Sequence, residues 1–430
     1  MIRIANILIV AWAMAGIARA GIGYDAALNA VRVTDFPEGY PCTLRQILAA
    51  DAMNGWGKVS HAAAADVYTF NCHLLVGAHN GTVTYLQIGT AAQPGETLVM
   101  RGDLVVMPSH VEGENEGVYW RAPIPVNRLR LGDPENSAVR AAVKFDNSQP
   151  GEFGLFTGRM PAAIARKGRQ TGGQLHVYNS SIGACRPGTN HAWKSALTGD
   201  GLVLDGAHLA WGQRMLHGAQ DPGRVRGARG AYLIRNSVFE HGQWGLENGP
   251  HTLAGCTFRD FETVVMDYGS VDATLVDCVF ENNRRNWHLR TTDGGVTLVD
   301  CTVGRPQLED ILKASRTPPN KGLVQSRRHA VVEVVNAAGQ PAAGARVTIR
   351  CEQGLPEMVM HWRQTADDRG RTPGRGDPRA ALLTEYTWKM NLAPEHYSYM
   401  IEAVSLQGGT AKVGGIRADQ SWQTIRVTLP

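Results

Sequence analysis

The chain has 430 residues, a formal net charge of +4, 43% hydrophobic residues and 7 cysteines. This composition is too apolar for a disordered chain, and the length favours two domains or one elongated domain with a smaller one. The near-neutral charge argues against a nucleic-acid partner, because such proteins carry a concentrated basic excess. After residue 20 no apolar run approaches the roughly 20 residues that cross a bilayer, so we expect no membrane span.

The first 20 residues have the pattern of a signal peptide. Arg3 supplies a positive start, residues 7–17 are apolar and uncharged, and Ala18-Arg19-Ala20 matches the small-x-small cleavage motif. We therefore expect residues 1–20 to be removed and the protein to be secreted or held at the cell surface or in the periplasm. The odd cysteine count argues against a dense disulfide framework.

Residues 21–65 are predicted to form an N-terminal segment with one helix. Between residues 41 and 53, Leu44, Ile47, Leu48 and Met53 fall on one helical face. A helix with a single apolar face is suited to covering an exposed sheet end, so we expect it to cap the domain that follows.

Between residues 173 and 303 a short motif recurs. It consists of an apolar residue, any residue, Asn, Asp or Gly, a small residue, any residue and a second apolar residue, as in Val177 to Ile182 and Leu298 to Val303. The small residue stands at positions 180, 207, 237, 256, 278 and 301, so successive copies are 27, 30, 19, 22 and 23 residues apart. A period of this length indicates a solenoid whose units bury their apolar faces against each other.

The repeating unit has the pattern of short strands, because Thr, Val, Leu and Phe alternate with period two between Gly, Asn and Asp. Asn, Asp and Gly suit the corner, since they tolerate the left-handed backbone region. The cysteines of the motif are interpreted as buried small side chains, because their spacing does not match zinc sites. We expect the small residues to form one internal file, which comprises Ser180, Ala207, Ser237, Cys256, Cys278 and Cys301.

The corner motif resembles the apolar-x-Asn-Cys-x-apolar repeat of the pectin-lyase-like superfamily of single-stranded right-handed parallel β-helices. Residues 173–303 carry the resemblance, and Asn71-Cys72-His73-Leu74 is similar to the corner. The resemblance implies a β-helix over residues 66–303. The paired aspartates and Gly-His-Gly of polygalacturonases and the Arg-Pro-x-x-Arg of pectate lyases are not found, so the resemblance implies a fold rather than a reaction.

A different pattern follows the repeats. Residues 304–327, which include Thr317-Pro318-Pro319, are predicted to be a linker. Residues 328–430 then resemble the carboxypeptidase-regulatory-like (transthyretin-like) module, a small β-sandwich without catalytic residues of its own. Its strands are predicted at 330–335, 345–349, 399–404 and 423–429. The predicted fold class is therefore all-β, a single-stranded right-handed parallel β-helix followed by a small antiparallel β-sandwich.

Polar residues follow an apolar position in several repeats, and such residues form rows on the outer side of a parallel sheet. Leu246, Met266 and Leu289 are expected to point inward, so the residue after each is expected to point outward. A one-residue change in register would reverse this assignment for any strand. The predicted outward row comprises Thr198, His217, Glu247, Asp267 and Arg290, with His288 beside it.

The row supports two kinds of catalysis, with Glu247, Asp267, Arg290 and His288 as the predicted catalytic residues. In a uronate lyase, carboxylates would hold a cation such as Ca²⁺ while an Arg or His removes the α-proton. In a glycoside hydrolase, the two carboxylates would act as acid and base. A structural interpretation, in which acids and arginines form cross-strand ion pairs, stays open. The predicted substrate-binding residues are His217, Thr198, Trp244 and Trp287, the two tryptophans by stacking on sugar rings.

The sequence thus predicts a secreted, monomeric protein that acts on an acidic polysaccharide as a lyase or hydrolase. The alternative is a non-catalytic cell-envelope or adhesion protein that binds carbohydrate. The missing branch motifs favour the alternative. The mixed His, Glu, Asp and Arg row disfavours it, because an inert face would show ladders of Asn, Thr and Ser.

Overall fold

The computed structural model is all-β, apart from one α-helix and one 3-10 helix in the part of the chain that it describes. The chain divides into two compact units, one of Met1–Val271 with Phe280–His288 and one of Asp272–Val279 with Leu289–Pro430. The predicted signal peptide lies outside the described residues. These are 21–78, 83–107, 110–111, 127–146, 148, 153–157, 170–171, 173–188, 192–197, 201–217, 232–289, 295–303, 323–352, 362–389 and 395–430.

Most strands have two to six residues, and they follow each other closely along the chain. The elements up to residue 184 are β1 (Gly21–Asp25), β2 (Ala30–Thr34), α1 (Leu44–Asn54), β3 (Val59–Ala62), the 3-10 helix (Ala63–Ala65), β4 (Val67–Phe70), β5 (His73–Val76), β6 (Tyr85–Ile88), β7 (Glu96–Met100), β8 (Leu104–Val106), β9 (His110–Val111), β10 (Asn127–Leu131), β11 (Ala141–Phe145), β12 (Gly154–Thr157), β13 (Gln170–Thr171), β14 (Gly173–Tyr178) and β15 (Ser181–Ala184). The later elements are β16 (Lys194–Leu197), β17 (Gly201–Asp205), β18 (His208–Ala210), β19 (Arg214–His217), β20 (Tyr232–Arg235), β21 (Val238–Glu240), β22 (Trp244–Ala254), β23 (Thr257–Arg259), β24 (Thr263–Val276), β25 (Val279–Glu281), β26 (Trp287–His288), β27 (Gly295–Val299), β28 (Thr302–Val303), β29 (Leu323–Val335), β30 (Arg346–Cys351), β31 (Trp362–Thr365), β32 (Ala381–Lys389), β33 (Glu395–His396), β34 (Tyr399–Val404), β35 (Thr410–Ile416) and β36 (Gln423–Thr428).

Three long sheets organise the first unit. Sheet A has the order β1-β2-β5-β8-β12-β16, sheet B includes β6-β10-β14-β17-β20-β22, and sheet C includes β3-β4-β7-β11-β15-β18-β21-β23. Neighbouring strands within them pair in parallel, except at the antiparallel edges β1–β2 and β3–β4. Successive strands β14, β15 and β16 lie in B, C and A, and β17 returns the chain to B. This order is compatible with a β-helix-like fold.

The strands show the period-two burial of a sheet with one side in a core. In β10 the side chains of Leu129 and Leu131 are buried, while Arg128 and Arg130 between them stay partly exposed. Alternate residues of a strand point to opposite sides, so the apolar residues supply the interior and the polar residues supply an outer surface. Any site on this unit is therefore built from side chains of neighbouring strands.

The predicted corners are confirmed by the backbone. The corner residues have positive φ, and the small residue after each is buried in all six repeats. Asn, Asp and Gly adopt this left-handed region at low cost, which explains their recurrence. The cysteines of the motif are buried, as predicted, and form no disulfide with a described residue. The corner φ angles are 47° at Asn179, 63° at Gly206, 50° at Asn236, 60° at Gly255, 51° at Asp277 and 54° at Asp300.

The predicted helix is present as α1, but its apolar face is smaller than expected. Thr43 and Gln46 form a capping box at its start, and Gly55 in the left-handed region ends it. Leu44 and Ile47 are buried, whereas Met53 is 82% exposed. At about 100° per residue Met53 lies on the opposite side of the helix from Leu44, so it faces away from the buried side.

In the second unit, β29 joins two sets of pairings along its 13 residues. Its residues 323–327 pair in parallel with β27, and its residues 330–335 pair in parallel with β36. A second sheet, in the order β31-β30-β34-β35, is antiparallel. One apolar core contains side chains from both groups of strands, including Val332, Ile349, Ile401 and Val427.

The boundary between the two patterns differs from the predicted linker. Residues 323–327, which the prediction placed in that linker, are strand residues of β29. Residues 304–322 lie outside the described part of the chain. The division between the compact units falls inside β24, because the second half of this strand pairs with β27. The four predicted strands near 330, 345, 399 and 423 are confirmed.

Candidate functional site

His217 and Glu247 are brought together by the pairing of β19 with the first half of β22. The two residues are direct partners in this parallel ladder, as are Leu216 and Leu246 before them. The His217 Nδ1 atom lies 3.0 Å from Glu247 Oε2. The Glu247 side chain is only 3% exposed and that of His217 is 15% exposed. The imidazole is therefore the part of this pair that solvent, or a ligand, can reach.

Arg214 is the third member of this cluster. It lies three residues before His217 on β19, and its Nε atom is 3.4 Å from Glu247 Oε2. Its guanidinium also lies over the Trp244 ring, with 4.8 Å between Cζ and the ring centroid. A cation over an indole face is electrostatically favourable, so Trp244 holds the guanidinium in place beside the carboxylate.

The contacts around Glu247 are close but poorly aligned. Glu247 Oε2, His217 Nδ1 and Arg214 Nε are all buried, and none of them forms a hydrogen bond with acceptable angles to a described residue. The separation between Arg214 and Glu247 is that of an ion pair, so this attraction is mainly coulombic. Buried polar atoms without aligned partners are rare in proteins, and they mark places where a ligand or a small rearrangement completes the bonding.

The register of the next strands differs from the predicted row. Met266 pairs with His288, and Val265 pairs with Trp287. The prediction had placed Met266 beside Leu289 and Asp267 beside Arg290, which is one residue out of step with this ladder. The predicted pairing of Met266 with Leu289 is therefore wrong, and the predicted alignment of Asp267 with Arg290 depends on atoms outside the described part of the chain. The backbone N–H of Thr263 donates to Gln243 O, which sets Met266 beside Glu247 in a regular ladder.

The other predicted site residues divide into two groups. Thr198 and Arg290 lie outside the described residues, as does the side chain of Asp267. Trp287 is fully buried and packs edge-on against Phe280, with 5.5 Å between ring centroids. It therefore belongs to the core and has no face for a sugar ring. His288 is partly buried on the strand next to Met266.

Sequence reasoning missed Arg214. The prediction considered only the residue after each apolar position, and Arg214 stands three residues before His217 in Arg214-Met215-Leu216-His217. The sequence did contain a signal, because Trp244 and Glu247 on a neighbouring strand are three residues apart, like Arg214 and His217. Because the spacing is the same on both strands, Arg214 pairs with Trp244 and His217 pairs with Glu247. The long Arg214 side chain then extends along the strand to the Glu247 carboxylate.

The cluster does not suit a calcium ion. A Ca²⁺ site needs several oxygen ligands, and the Glu247 carboxylate has cationic or donor groups of Arg214 and His217 on either side. Among the described residues there is no group of three His, Cys, Asp or Glu side chains that is arranged to hold a metal.

Comparison with protein families, curated proteins and solved structures finds no match to this chain. Within the described part of the chain, no helix has the length and apolarity that crossing a membrane requires.

Proposed function

We propose that the protein is a secreted polysaccharide lyase that cleaves an acidic glycan, with His217 as the base, Glu247 as the residue that positions it and Arg214 as the group that binds the substrate carboxylate. The observation that carries this proposal is the buried Glu247 carboxylate between an imidazole and a guanidinium. We further propose a pectin-lyase-like right-handed β-helix followed by a carboxypeptidase-regulatory-like sandwich. The sheet order and the left-handed corners support the helix.

The proton transfer is assigned to His217 because of its orientation. Nδ1 faces the Glu247 carboxylate, which favours the tautomer with its proton on Nδ1. Nε2 then carries the lone pair that accepts the substrate proton. The imidazolium that forms is stabilised by the adjacent carboxylate, as in other enzymes that place an acid behind a catalytic histidine.

Arg214 is suited to the substrate carboxylate. Its Nε side faces Glu247, and its Nη nitrogens form no hydrogen bond with a described residue. A guanidinium bound to a uronate carboxylate stabilises the charge that develops when the α-proton leaves. His217 Nε2 takes that proton, the carbon–oxygen bond at the β-position breaks, and the leaving oxygen takes a proton from water. The imidazolium then returns its proton to the solvent. The products are an unsaturated uronate end and a new reducing end.

The arrangement favours elimination over hydrolysis. A glycoside hydrolase needs two carboxylates that face the scissile bond. Glu247 is buried and flanked by positive or donor groups. A carboxylate held in this way is poorly placed to act as the acid or base that hydrolysis requires at the scissile bond.

Product analysis of the purified protein tests the reaction class. We expect polygalacturonate or a related uronan to give both ultraviolet absorbance from unsaturated uronate and new reducing ends. Asp267→Asn should keep the activity, because this residue has no role in the proposed elimination. Reducing ends without absorbance, or loss of activity in Asp267→Asn, would instead indicate a hydrolase.

A carbohydrate-binding protein without catalysis is the remaining candidate, and the aligned ion pairs elsewhere in the sheets are the observation that favours it. The buried cluster would then be a structural ion-pair network. In that case a panel of acidic glycans, including uronans of different linkage, should yield neither signal while the protein still binds one of them.

A further inference from the structure

Two arginines stand side by side on the outer surface of sheet B. Arg128 and Arg130 are two residues apart on β10, so they point to the same side of the strand. The intervening Leu129 and the following Leu131 are fully buried on the other side. The Glu247 cluster is built on another part of this sheet, from β19 and the first half of β22, whereas β10 is connected through β14, β17 and β20 to the second half of β22.

Aromatic rings on the two neighbouring strands hold these guanidinium groups. Arg128 lies over Tyr85 of β6, with 4.7 Å between Cζ and the ring centroid. Arg130 lies 5.7 Å from the centroid of Tyr178 of β14. Such contacts restrict the side chains without using their N–H donors, so less entropy is lost when the donors bind a ligand.

His176 lies beside Arg130 in the same ladder and adds an unused polar atom. The two residues are direct partners between β10 and β14. His176 is only 8% exposed, and its Nε2 atom has no hydrogen-bond partner in the described part of the chain. Arg130 Nε is buried and lacks a partner in the same way. Two neighbouring buried groups without partners are costly unless a ligand completes them.

Burial and the two nearby arginines lower the pKa of His176 to about 3. The imidazole is therefore neutral at ordinary pH, because each of these effects disfavours the charged form. A neutral imidazole can donate or accept one hydrogen bond at Nε2, which suits a sugar hydroxyl or an anion oxygen beside Arg130.

Each of the two guanidinium groups already donates one hydrogen bond to a surface carboxylate. Arg128 donates from Nη1 to Glu38 at 2.8 Å and from Nε to Gln174 at 2.9 Å, and Arg130 donates from Nη2 to Asp133 at 3.1 Å. The Glu38 side chain is 67% exposed, so little holds it in this contact. Its carboxylate shows that an oxyanion fits against Arg128, and a ligand with higher local charge can displace it.

We propose that Arg128, Arg130 and His176 form a binding site for oxyanion groups, carboxylate or sulfate, on an extended acidic polysaccharide. Guanidinium groups recognise such oxyanions by paired hydrogen bonds, and both arginines are already held in place by tyrosine rings. The site does not depend on the reaction proposed for Glu247. It gives the protein a second point of attachment to a charged polymer, which raises the effective concentration of that polymer at the molecule.

Affinity electrophoresis of the full-length protein tests this site with dextran sulfate, which has no uronate and cannot undergo the proposed elimination. Unmodified dextran is the matched neutral polymer. Polygalacturonate tests the carboxylate form, and inorganic sulfate as a competitor tests whether a free anion is enough. We expect retardation by both charged polymers and none by dextran, with millimolar sulfate competing only weakly.

Three variants separate the site from general charge. Arg130→Gln should weaken the apparent Kd by about tenfold, as the loss of one charge-assisted hydrogen bond predicts. Glu38→Gln removes the competing carboxylate and should tighten binding about threefold, and it leaves the core untouched. Arg235→Gln is the matched control, since Arg235 is an exposed arginine of sheet B paired with Asp205, and it should change Kd by less than about twofold.

The outcomes distinguish the sources of the anion. Inorganic sulfate that competes strongly with the polymers, and no longer competes in Arg130→Gln, would show that these residues bind a free anion rather than a polysaccharide. Equal weakening in Arg130→Gln and Arg235→Gln would overturn the proposal, because binding would then follow overall charge. Unchanged affinity in both Arg130→Gln and Glu38→Gln would also overturn it, and Glu38→Gln decides the matter even if the arginine variant is unstable.

Discussion

Two clusters in the first unit have the same composition, one His, one Glu and one Arg, but they differ in burial and alignment. Around Glu240 on sheet C, His208 Nε2 lies 2.7 Å from the carboxylate and Arg259 donates to it from Nε. Both partners of Glu240 are about half exposed. Around Glu247, the carboxylate is buried more deeply and its partners approach without good hydrogen-bond angles.

The difference separates a satisfied ion pair from an incomplete one. Burial alone would raise the pKa of Glu240, but the hydrogen bonds from Arg259 and His208 outweigh it, so this pKa is lowered. Glu240 sits directly beside Arg259 in the ladder, which lets the two side chains meet in a short, aligned bond. Glu247 has an imidazole in that direct position and its arginine approaches from along the strand. The second arrangement is the one with bonding capacity left for a ligand.

The largest expected difference between the clusters is in catalysis. His217→Ala should lower kcat by about 10² to 10⁴, the usual contribution of a general base, if the protein cleaves a uronan as proposed. His208→Ala is the matched control, since His208 also lies beside a Glu that an Arg contacts. This variant should keep nearly the full rate. The initial rate at which ultraviolet absorbance increases, with the uronan as substrate, measures the activity of both variants. Equal losses in the two variants would remove the distinction.

A smaller difference is expected in stability. Glu247→Gln should lower the free energy of unfolding by about 2 kcal/mol, because it replaces a buried carboxylate and leaves the buried Nε of Arg214 without its counter-charge. Glu240→Gln should cost about 1 kcal/mol or less, since its partners are half exposed and solvent replaces the pair. Urea unfolding at neutral pH measures both values. A larger loss for Glu240→Gln would show that alignment matters more than burial here.

The smallest expected effect is the pH dependence of the Glu240 cluster. The folded-state pKa of Glu240 lies below its unfolded value, so its contribution to stability is present above the unfolded value and is lost as the pH falls through the folded one. The stability difference between the wild type and Glu240→Gln should therefore shrink as the pH falls from about 5 towards about 3. Unfolding free energies of the two proteins across this range check it, and a constant difference would contradict the lowered pKa.

The fold was predictable where the signal is local. A corner that requires positive φ selects Asn, Asp or Gly, and a tight interior selects the small residue after it, so each repeat carries its own evidence. The same reasoning predicted the strands of the second unit from alternation and turn residues. The boundary was less predictable, because β29 continues without a break from one set of pairings to another.

The sequence by itself determined the all-β class, the corners, the buried cysteines and the presence of His217 and Glu247 on neighbouring strands. Only the tertiary structure decided that Met266 is in register with His288 rather than with Leu289, that Trp287 is a core residue and that Arg214 reaches Glu247. The physical reason is that corner geometry depends on a few consecutive residues. Register depends on hydrogen bonds between strands that are separated by loops of unequal length. A shift of one residue in this pairing exchanges the inward-facing and outward-facing side chains of a strand.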